Sequence, residues 1–340
     1  MDRAYFLYGL RLLADGEIPG LSPREYEPPY DVRVWLNKTP DGLKHRGRVR
    51  WYQSPDLNQH GRPNLMIWRM AQAQGLHFVY DDGTEFLISE DGSQVWCWWS
   101  PAVTVADAAV YLRGPILAMI LRLRGVVCLH ASAVAVGGVF AIAILGSSGA
   151  GKSTTAAAFA QLGNAVLADD VTALNQHSGR FHVLPGYPWL NLWPDSAESL
   201  FGEQGSLPRS TPADGVNHWW DKRYLDLEAS DRFHDATLPL AGVYVLGERT
   251  AGEGALRIEP LSAREAFMAL TTETCVNYAL DESMRVLEFK TLAQLVATVP
   301  VRLATPHSDP ARLPELCANI LRDCAATQGS PMTRASESKG

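Results

Sequence analysis

The sequence has few cysteines, and none of them stand in close pairs. Of its 340 residues only five are cysteine, and no C-x-x-C pair occurs. Disulfide-stapled domains and zinc knuckles need paired or regularly spaced cysteines, so both classes are excluded. We therefore expect free thiols and a cytoplasmic protein. The five residues are Cys97, Cys128, Cys275, Cys317 and Cys324.

The chain also lacks an excess of positive charge. Its 37 acidic and 30 basic residues give a formal net charge of −7. A general nucleic-acid binder needs a basic surface, so we expect no nucleic-acid partner. The N-terminus has no long apolar run before a cleavage site, and we expect no signal peptide.

One stretch without charged residues resembles a membrane span in length alone. From Gly125 to Gly151 there is no Asp, Glu, Lys or Arg, and about 20 apolar residues are enough to cross a bilayer. The stretch nevertheless contains His130 and the turn pair Gly137-Gly138, and it leads into a phosphate-binding motif. We therefore predict two buried strands, at about 127–135 and 139–145, and no membrane partner.

Composition divides the chain into a smaller and a larger domain. The length also predicts two domains, at about 150 residues per domain. Residues 1–104 carry short runs of β-forming residues between hairpin dipeptides such as Asp82-Gly83. They are predicted to form a β-rich domain of unknown role. Six of the ten tryptophans lie there and indicate a sheet core or, alternatively, an aromatic ligand platform. Residues 105–325 are predicted to be an α/β catalytic domain, and residues 326–340 a disordered tail.

Helix and strand signals alternate in the larger domain. Pro115 is typical of a first helical turn, so one helix is predicted to end near residue 112 and another to begin at Pro115. Further predictions are helices at about 153–162, 262–270 and 310–324 and strands at 165–168 and 242–246.

The strongest motif is a glycine-rich loop that satisfies the pattern G-x-x-x-x-G-K-S/T. An apolar strand precedes it and an Ala-rich helix follows, as a phosphate-binding loop requires, whereas a flexible Gly-Ser turn is the structural alternative. The loop's N–H groups would bind phosphate oxygens, Lys152 would reach the β- and γ-phosphates, and the Ser153 hydroxyl would ligate Mg²⁺. The predicted nucleotide-binding residues are Gly146, Ser147, Ser148, Gly149, Ala150, Gly151, Lys152, Ser153 and Thr154.

Two adjacent aspartates end the next predicted strand. Asp169 and Asp170 lie 17 and 18 positions after Lys152. Ligands of open α/β sheets sit at the carboxyl ends of strands, so both carboxylates are expected near the nucleotide. One would hold metal and the other would accept a proton from an attacking hydroxyl. The structural alternative is an aspartate that only ends the strand or caps a turn.

These motifs together resemble a known family. The similarity is to the C-terminal catalytic domain of HPr serine kinase/phosphorylases. It lies in a run made of LHASAVAV, a Gly-rich turn, AIAILGSSGAGKST and AVLADD. The continuation through Leu184–Pro188 and Leu192–Asp195 looks more like the HPr-kinase-like proteins of lasso-peptide biosynthesis. The resemblance covers residues 110 to 325 and implies an α/β P-loop kinase fold, with an oligomer by analogy alone.

The resemblance implies roles for individual residues. Asp169 would take the proton from a substrate serine, Asp170 would help Ser153 to hold Mg²⁺, and His130 would lie beside Asp169 and tune it. A core histidine is the alternative for His130. Arg209, Lys222 and Arg223 are predicted either to close over phosphates or to be solvated loop charges.

The expected function is an ATP- and Mg²⁺-dependent serine kinase acting on a protein or peptide, with a lasso-peptide precursor as the candidate. The Pro-Gly-Arg-Asn signature of HPr kinase/phosphorylases does not occur, which argues against HPr as the substrate and against phosphorylase activity. An HPr-type regulatory enzyme, an ATPase or nucleotide sensor, and a small-molecule or carboxykinase-like kinase remain as alternatives. No LSGGQ or N-K-x-D motif indicates an ABC ATPase or a GTPase.

Overall fold

The computed structural model describes residues 1–43, 47–71, 75–202, 207–213, 220–252 and 256–328. The chain is a mixed α/β protein that divides into two units. The first unit contains the described parts of Met1–Cys128, Leu207–Tyr224 and Cys275–Glu288. The second contains the described parts of Leu129–Ser206, Leu225–Thr274 and Phe289–Gly340.

The first unit extends beyond the boundary that composition predicts at residues 104 and 105. It continues to Cys128 and takes in two later segments. The helical residues Leu112, Ile116 and Leu117 of this region are almost completely buried. The shift in composition therefore marks a change of secondary structure rather than the end of a unit.

Eight short strands make one sheet in the first unit: β1 (Arg3–Leu7), β2 (Leu10–Ala14), β3 (Val32–Leu36), β4 (Val49–Gln53), β5 (Leu65–Arg69), β6 (Leu76–Tyr80), β7 (Glu85–Ile88) and β8 (Gln94–Trp98). Their order is β1-β2-β3-β8-β7-β6-β5-β4. The core-facing side chains Val34, Ile67, Phe78 and Phe86 are fully buried. The predicted turn at Asp82-Gly83 joins β6 to β7, with Gly83 at a left-handed φ of 89°.

A nearly continuous helical segment follows the sheet. It consists of α1 (Val105–Tyr111), a π-helical turn (Leu112–Ile116) and α2 (Leu117–Leu123). Pro115 lies inside the π-helical turn, so the prediction that it begins a helix is wrong. π-Helical turns are rare and occur mostly as single turns within α-helices, and here such a turn contains a residue that has no N–H to donate.

The second unit contains eight strands of a nine-stranded mixed sheet. Its strands are β10 (Ser132–Val136), β11 (Phe140–Leu145), β12 (Val166–Ala168), β13 (Thr172–His177), β14 (Arg180–Leu184), β17 (Leu238–Leu246), β18 (Arg257–Pro260) and β19 (Val301–Thr305). Their order begins β12-β10-β11-β17 and continues through β14 and β13, while β19 pairs with β17 and β18. β17 runs parallel to β11 and to β19, whereas β10 is antiparallel to β11. The ninth strand of the sheet is β9 (Val127–Leu129), and two further strands are β15 (Trp189–Leu192) and β16 (Arg223–Asp226).

The remaining helices are α3 (Lys152–Gln161), α4 (Pro194–Phe201), α5 (Ala263–Thr272), α6 (Glu282–Thr298) and α7 (Leu313–Gln328). The helices predicted near 153–162, 262–270 and 310–324 are present as α3, α5 and α7. Because α7 runs to Gln328, residues 326–328 of the predicted disordered tail are helical, and the rest of that tail lies outside the described residues. α6 was not predicted from the sequence.

The predicted strand at 127–135 is interrupted. It consists of β9 and β10, separated by His130 and Ala131. The interruption matters for function because it leaves His130 in a connection rather than within a strand. No helix in the described part of the chain is long and apolar enough to span a membrane.

Candidate nucleotide and acceptor site

The glycine-rich loop joins β11 to α3, as its motif predicts. Gly146, Gly149 and Gly151 have φ values of 150°, 81° and 103°, which side chains rarely adopt. A Cβ atom on Gly146 would lie 3.1 Å from the Ala150 Cβ, so a side chain there would crowd the turn. The loop therefore needs glycine to present its backbone N–H groups at the start of a ten-residue helix.

Lys152 is buried and folds back over the loop. Its Nζ donates to the Gly146 carbonyl at 2.7 Å and the Ser147 carbonyl at 3.3 Å. The first turn of α3 is fixed as well, because the N–H and the hydroxyl of Thr155 both donate to the Gly151 carbonyl at 2.8 Å. The ammonium group is thus held by groups of the loop itself, next to the N–H groups that phosphate would meet.

Asp169 is buried and fixed by hydrogen bonds. Its Oδ1 accepts from the Ser153 hydroxyl at 2.9 Å and from the Ser132 hydroxyl at 2.6 Å, while its Oδ2 accepts from the Asn191 N–H at 3.2 Å. Only 2% of its surface is exposed. The carboxylate is therefore coupled directly to the phosphate-loop serine and has little access to solvent.

Asp170 is in a different environment from its neighbour. Its side chain is 30% exposed, and its Oδ1 lies 3.8 Å from Nε2 of His130, whose side chain is 41% exposed. The prediction had His130 beside Asp169, whereas the structure places it beside Asp170. Asp170 also has a left-handed φ of 62°, which costs an L-residue about 1–2 kcal/mol, and this backbone turn directs consecutive carboxylates to different surroundings.

The position of His130 follows from the interrupted strand. Its backbone N–H donates to the Glu273 carbonyl at 2.6 Å, and the next residue, Ala131, accepts from the Thr172 hydroxyl at 2.9 Å. These bonds fix the backbone while leaving the imidazole half-exposed. The alternative of a histidine satisfied within the core does not fit this exposure.

A cavity of about 150 Å³ opens beside the loop and α3. Ala150, Gly151 and Thr154 line it from the loop and helix, while Arg249 and His307 line it from the segments after β17 and β19. The Arg249 guanidinium would lie 3.2 Å from a Cβ atom at Gly151, so its charge is next to the loop. Sequence reasoning missed Arg249 and His307, because both lie far along the chain from the motif, at the carboxyl ends of parallel strands.

Other predicted site residues lie elsewhere. Arg209 and Arg223 both pair with Asp221 in the first unit, with the Arg223 guanidinium 3.2 Å from the carboxylate. Lys222 has its ammonium 4.7 Å from the centre of the Trp220 ring. These side chains have protein partners, so the alternative of solvated loop charges does not describe them fully. Much of the predicted mobile loop at 203–221, namely 203–206 and 214–219, lies outside the described residues.

The residues at the loop fit an Mg²⁺ ion that is bound jointly by protein and phosphate oxygens rather than by protein alone. Among the described residues no three His, Cys, Asp or Glu side chains converge on a common point. Mg²⁺ is usually bound by one or two protein oxygens, waters and substrate phosphates. The Ser153 hydroxyl donates a hydrogen bond to Asp169. The lone pairs of its oxygen can therefore face such an ion.

The strand, the glycine-rich loop and the helix define a P-loop α/β fold in the second unit. No protein-family model matches the chain, and no curated protein matches it in sequence. Among solved structures, the Hpr(Ser) kinase/phosphatase from Coxiella burnetii is similar over 59% of this chain and 97% of its own. The identity is 14% and the TM-score 0.31, so this distant likeness carries no argument about activity.

Proposed function

We propose that the chain is an ATP- and Mg²⁺-dependent phosphotransferase that phosphorylates a serine of a peptide or protein. One observation carries the proposal: two adjacent carboxylates beside a phosphate-binding loop have separate environments, one bonded to the loop serine and one open to solvent beside a histidine. A protein that only binds a nucleotide needs the first carboxylate. A kinase also needs the second, to receive the acceptor's proton.

The nucleotide would lie across the loop, with its phosphates on the backbone N–H groups and Lys152. To reach the β- and γ-phosphates, the ammonium of Lys152 would exchange its bonds to the Gly146 and Ser147 carbonyls for bonds to phosphate oxygens. Arg249 adds a second positive charge beside Gly151. The neighbouring cavity, with Thr154 and His307 in its walls, would take the nucleoside.

We assign the two aspartates roles opposite to those that the resemblance implies. Ser153 and Asp169 would hold Mg²⁺, with the Asp169 carboxylate acting through the Ser153 hydroxyl. When bound, the ion would neutralise charge on the β- and γ-phosphates. Asp170 would be the base, because it is the carboxylate that a large substrate can reach, and His130 would stabilise its charge.

The transfer step then balances in atoms and charge. The acceptor hydroxyl gives its proton to the Asp170 carboxylate as its oxygen bonds to the γ-phosphorus. The bond from that phosphorus to the bridging oxygen breaks, and ADP leaves with the electron pair. Lys152 and Arg249 offset the negative charge on the phosphates, and His130 is positioned to relay the proton from Asp170 to solvent through water.

The acceptor we propose to test first is the C-terminal serine of a lasso-peptide precursor, on the strength of the sequence resemblance. The requirement for ATP and the five buried thiols fit a cytoplasmic protein. A homo-oligomer remains a proposal by analogy with HPr kinases.

The aspartate assignment is tested with γ-labelled ATP and precursor peptides on the full chain. Asp170→Asn is expected to lower the rate of transfer by about 10²–10⁴-fold with unchanged affinity for MgATP. Asp169→Asn is expected to raise the Mg²⁺ concentration needed for half-maximal activity. Exposed Asp235 provides the control, and Asp235→Asn should leave both quantities unchanged.

Two results would contradict the proposal. Normal transfer by Asp170→Asn would remove it from the base position. Undiminished ATP binding by Lys152→Ala would remove the nucleotide from the loop. If wild-type protein hydrolyses ATP without labelling any peptide, the nucleotide-sensor alternative takes the place of the kinase.

A further inference from the structure

A second cavity, separate from the phosphate loop, lies within the first unit. Its volume is about 250 Å³. Four aromatic side chains and one acid dominate its walls: Tyr80, Tyr111, Trp220, Tyr278 and Asp107. We refer to this space as the aromatic cavity. Proteins bind small molecules in such largely apolar spaces, where a few polar groups fix the ligand's orientation.

Two buried polar atoms belong to residues of this wall. The Tyr80 hydroxyl and the Asp107 Oδ1 have no hydrogen-bond partner among the residues that the structure describes. Asp107 is 1% exposed and Tyr80 is 7% exposed. Buried polar groups are nearly always hydrogen-bonded, because leaving them unpaired is costly. The two oxygens therefore offer acceptors for the N–H groups of a ligand.

Asp107 is held firmly in its orientation. Its Oδ2 accepts from the N–H and the hydroxyl of Thr104 at 2.9 and 2.7 Å, as the capping box of α1. The cap uses one carboxylate oxygen and leaves the other for a ligand. Because the cap fixes the side chain, binding costs little conformational entropy at Asp107.

The aromatic walls are also fixed, and they remain uncharged. The rings of Tyr80 and Tyr111 stack with centres 3.8 Å apart, and the Tyr111 hydroxyl donates to Asp82 at 3.0 Å. Burial raises the pKa of Tyr80, Tyr111 and Tyr278, so these phenols stay protonated at neutral pH. Neutral aromatic faces attract cations through their π electrons.

The charges near the cavity favour a positive ligand. Asp81, Asp82 and Asp107 are all close enough to act electrostatically on Tyr111. The ammonium of Lys222, 4.7 Å from the centre of the Trp220 ring, is an opposing charge on one wall, and it shows that this indole accepts a cation. An anionic ligand would meet the Asp107 carboxylate in the wall and two further carboxylates close to Tyr111.

We propose that the aromatic cavity binds a small organic cation: a primary ammonium group on an apolar or aromatic stem. Its N–H groups donate to the Asp107 Oδ1 and the Tyr80 hydroxyl, and its stem packs against the aromatic walls. The site goes beyond the proposed kinase activity and does not depend on it.

The proposal is tested by isothermal titration calorimetry on the full chain with three probes of similar shape. These are 2-phenylethylammonium, the neutral 2-phenylethanol and the anionic 3-phenylpropionate. The ammonium is expected to bind tightest and the carboxylate weakest. Asp107→Asn should weaken ammonium binding roughly ten- to a hundredfold, since bonds to charged groups are the stronger ones. Tyr80→Phe, which keeps the ring, should weaken it several-fold.

Two controls separate the cavity from other binding. Val110→Phe adds bulk to the cavity wall and should abolish binding, whereas Asp41→Asn, at an exposed aspartate, should change nothing. Four results would each overturn the proposal. They are equal affinity for all three probes, tightest binding of the carboxylate, no binding of the ammonium, and unchanged binding by Val110→Phe. If Asp107→Asn does not fold, the probe series and Tyr80→Phe decide the result.

Discussion

At the scale of single residues, burial controls the chemistry of the cysteines. All five are buried. Burial raises the pKa of the Cys128 and Cys317 thiols to about 12 in each case. The thiolate is the reactive form, and at pH 8 only about one in ten thousand such thiols would carry the charge. These side chains therefore act as small apolar core residues.

Native protein is consequently expected to react very slowly with Ellman's reagent. The rate should rise about tenfold per pH unit, because the thiolate fraction does so well below the pKa. In concentrated guanidinium chloride all five thiols should react at once, which serves as the control. Rapid release from one thiol of the native protein would show that a cysteine is accessible.

The aspartate pair shows which part of the site can be predicted from sequence. The motif predicts that Asp169 and Asp170 lie near the nucleotide, because they follow the strand that comes after the phosphate-loop helix. It does not predict which one is buried. The left-handed backbone at Asp170 directs the two carboxylates to different surroundings, and which of them is interior depends on packing. The Ser132 and Asn191 groups that fix Asp169 lie 37 and 22 positions away, beyond the reach of local patterns.

At the scale of elements, a buried ion pair joins two segments of the first unit. Arg122 of α2 pairs with Glu288 of α6, and both residues are almost fully buried. The Arg122 Nε also donates to the Cys275 carbonyl at 3.4 Å. Removing one partner of such a pair leaves an uncompensated charge, whereas replacing both with apolar residues of similar size is often tolerated.

Glu288→Ala is accordingly expected to lower the free energy of unfolding by about 3–5 kcal/mol, measured by urea denaturation. Gln294→Ala, at an exposed position on the same helix, should change it by less than about 0.5 kcal/mol. Replacing both Arg122 and Glu288 with methionine should recover much of the loss. Equal stability of wild type and Glu288→Ala would show that the pair is not needed.

The elements that sequence patterns missed share a physical cause. In α6 apolar residues are spread around the helix, and Val286, Leu287 and Phe289 are exposed. Pattern reasoning depends on one apolar stripe, which this helix lacks. At Pro115 the general rule for proline at a first turn was overridden by a π-helical turn. By contrast, the phosphate-loop helix was predicted because its motif is local and its glycines have specific conformations.

At the scale of the whole molecule, the net charge of the chain and the charge of the proposed ligand have the same sign. The chain carries −7, and the ligand we propose is a polyphosphate. Attraction must therefore come from the loop N–H groups, Lys152 and Arg249 rather than from the overall field. The nucleotide site that we propose lies entirely within the second unit, so its effect on stability should be confined there.

MgATP at about 100 times its dissociation constant is expected to stabilise the folded site by about 2.7 kcal/mol. Differential scanning calorimetry should show a higher transition temperature for the second unit. If the two units unfold separately, only one transition should move. Excess EDTA should remove most of the shift, and Lys152→Ala should show none. An unchanged thermogram of the wild type with MgATP would contradict nucleotide binding.

The discontinuity of the first unit has a consequence for the protein's synthesis. Its sheet strands all lie before residue 100, but the unit includes residues up to Glu288. At about 5–20 residues per second, the ribosome takes on the order of ten seconds to extend the chain from Cys128 to Glu288. During this interval Arg122 has no Glu288 to pair with, and apolar surface stays uncovered. We therefore expect the nascent chain to bind chaperones until the third segment has been synthesised.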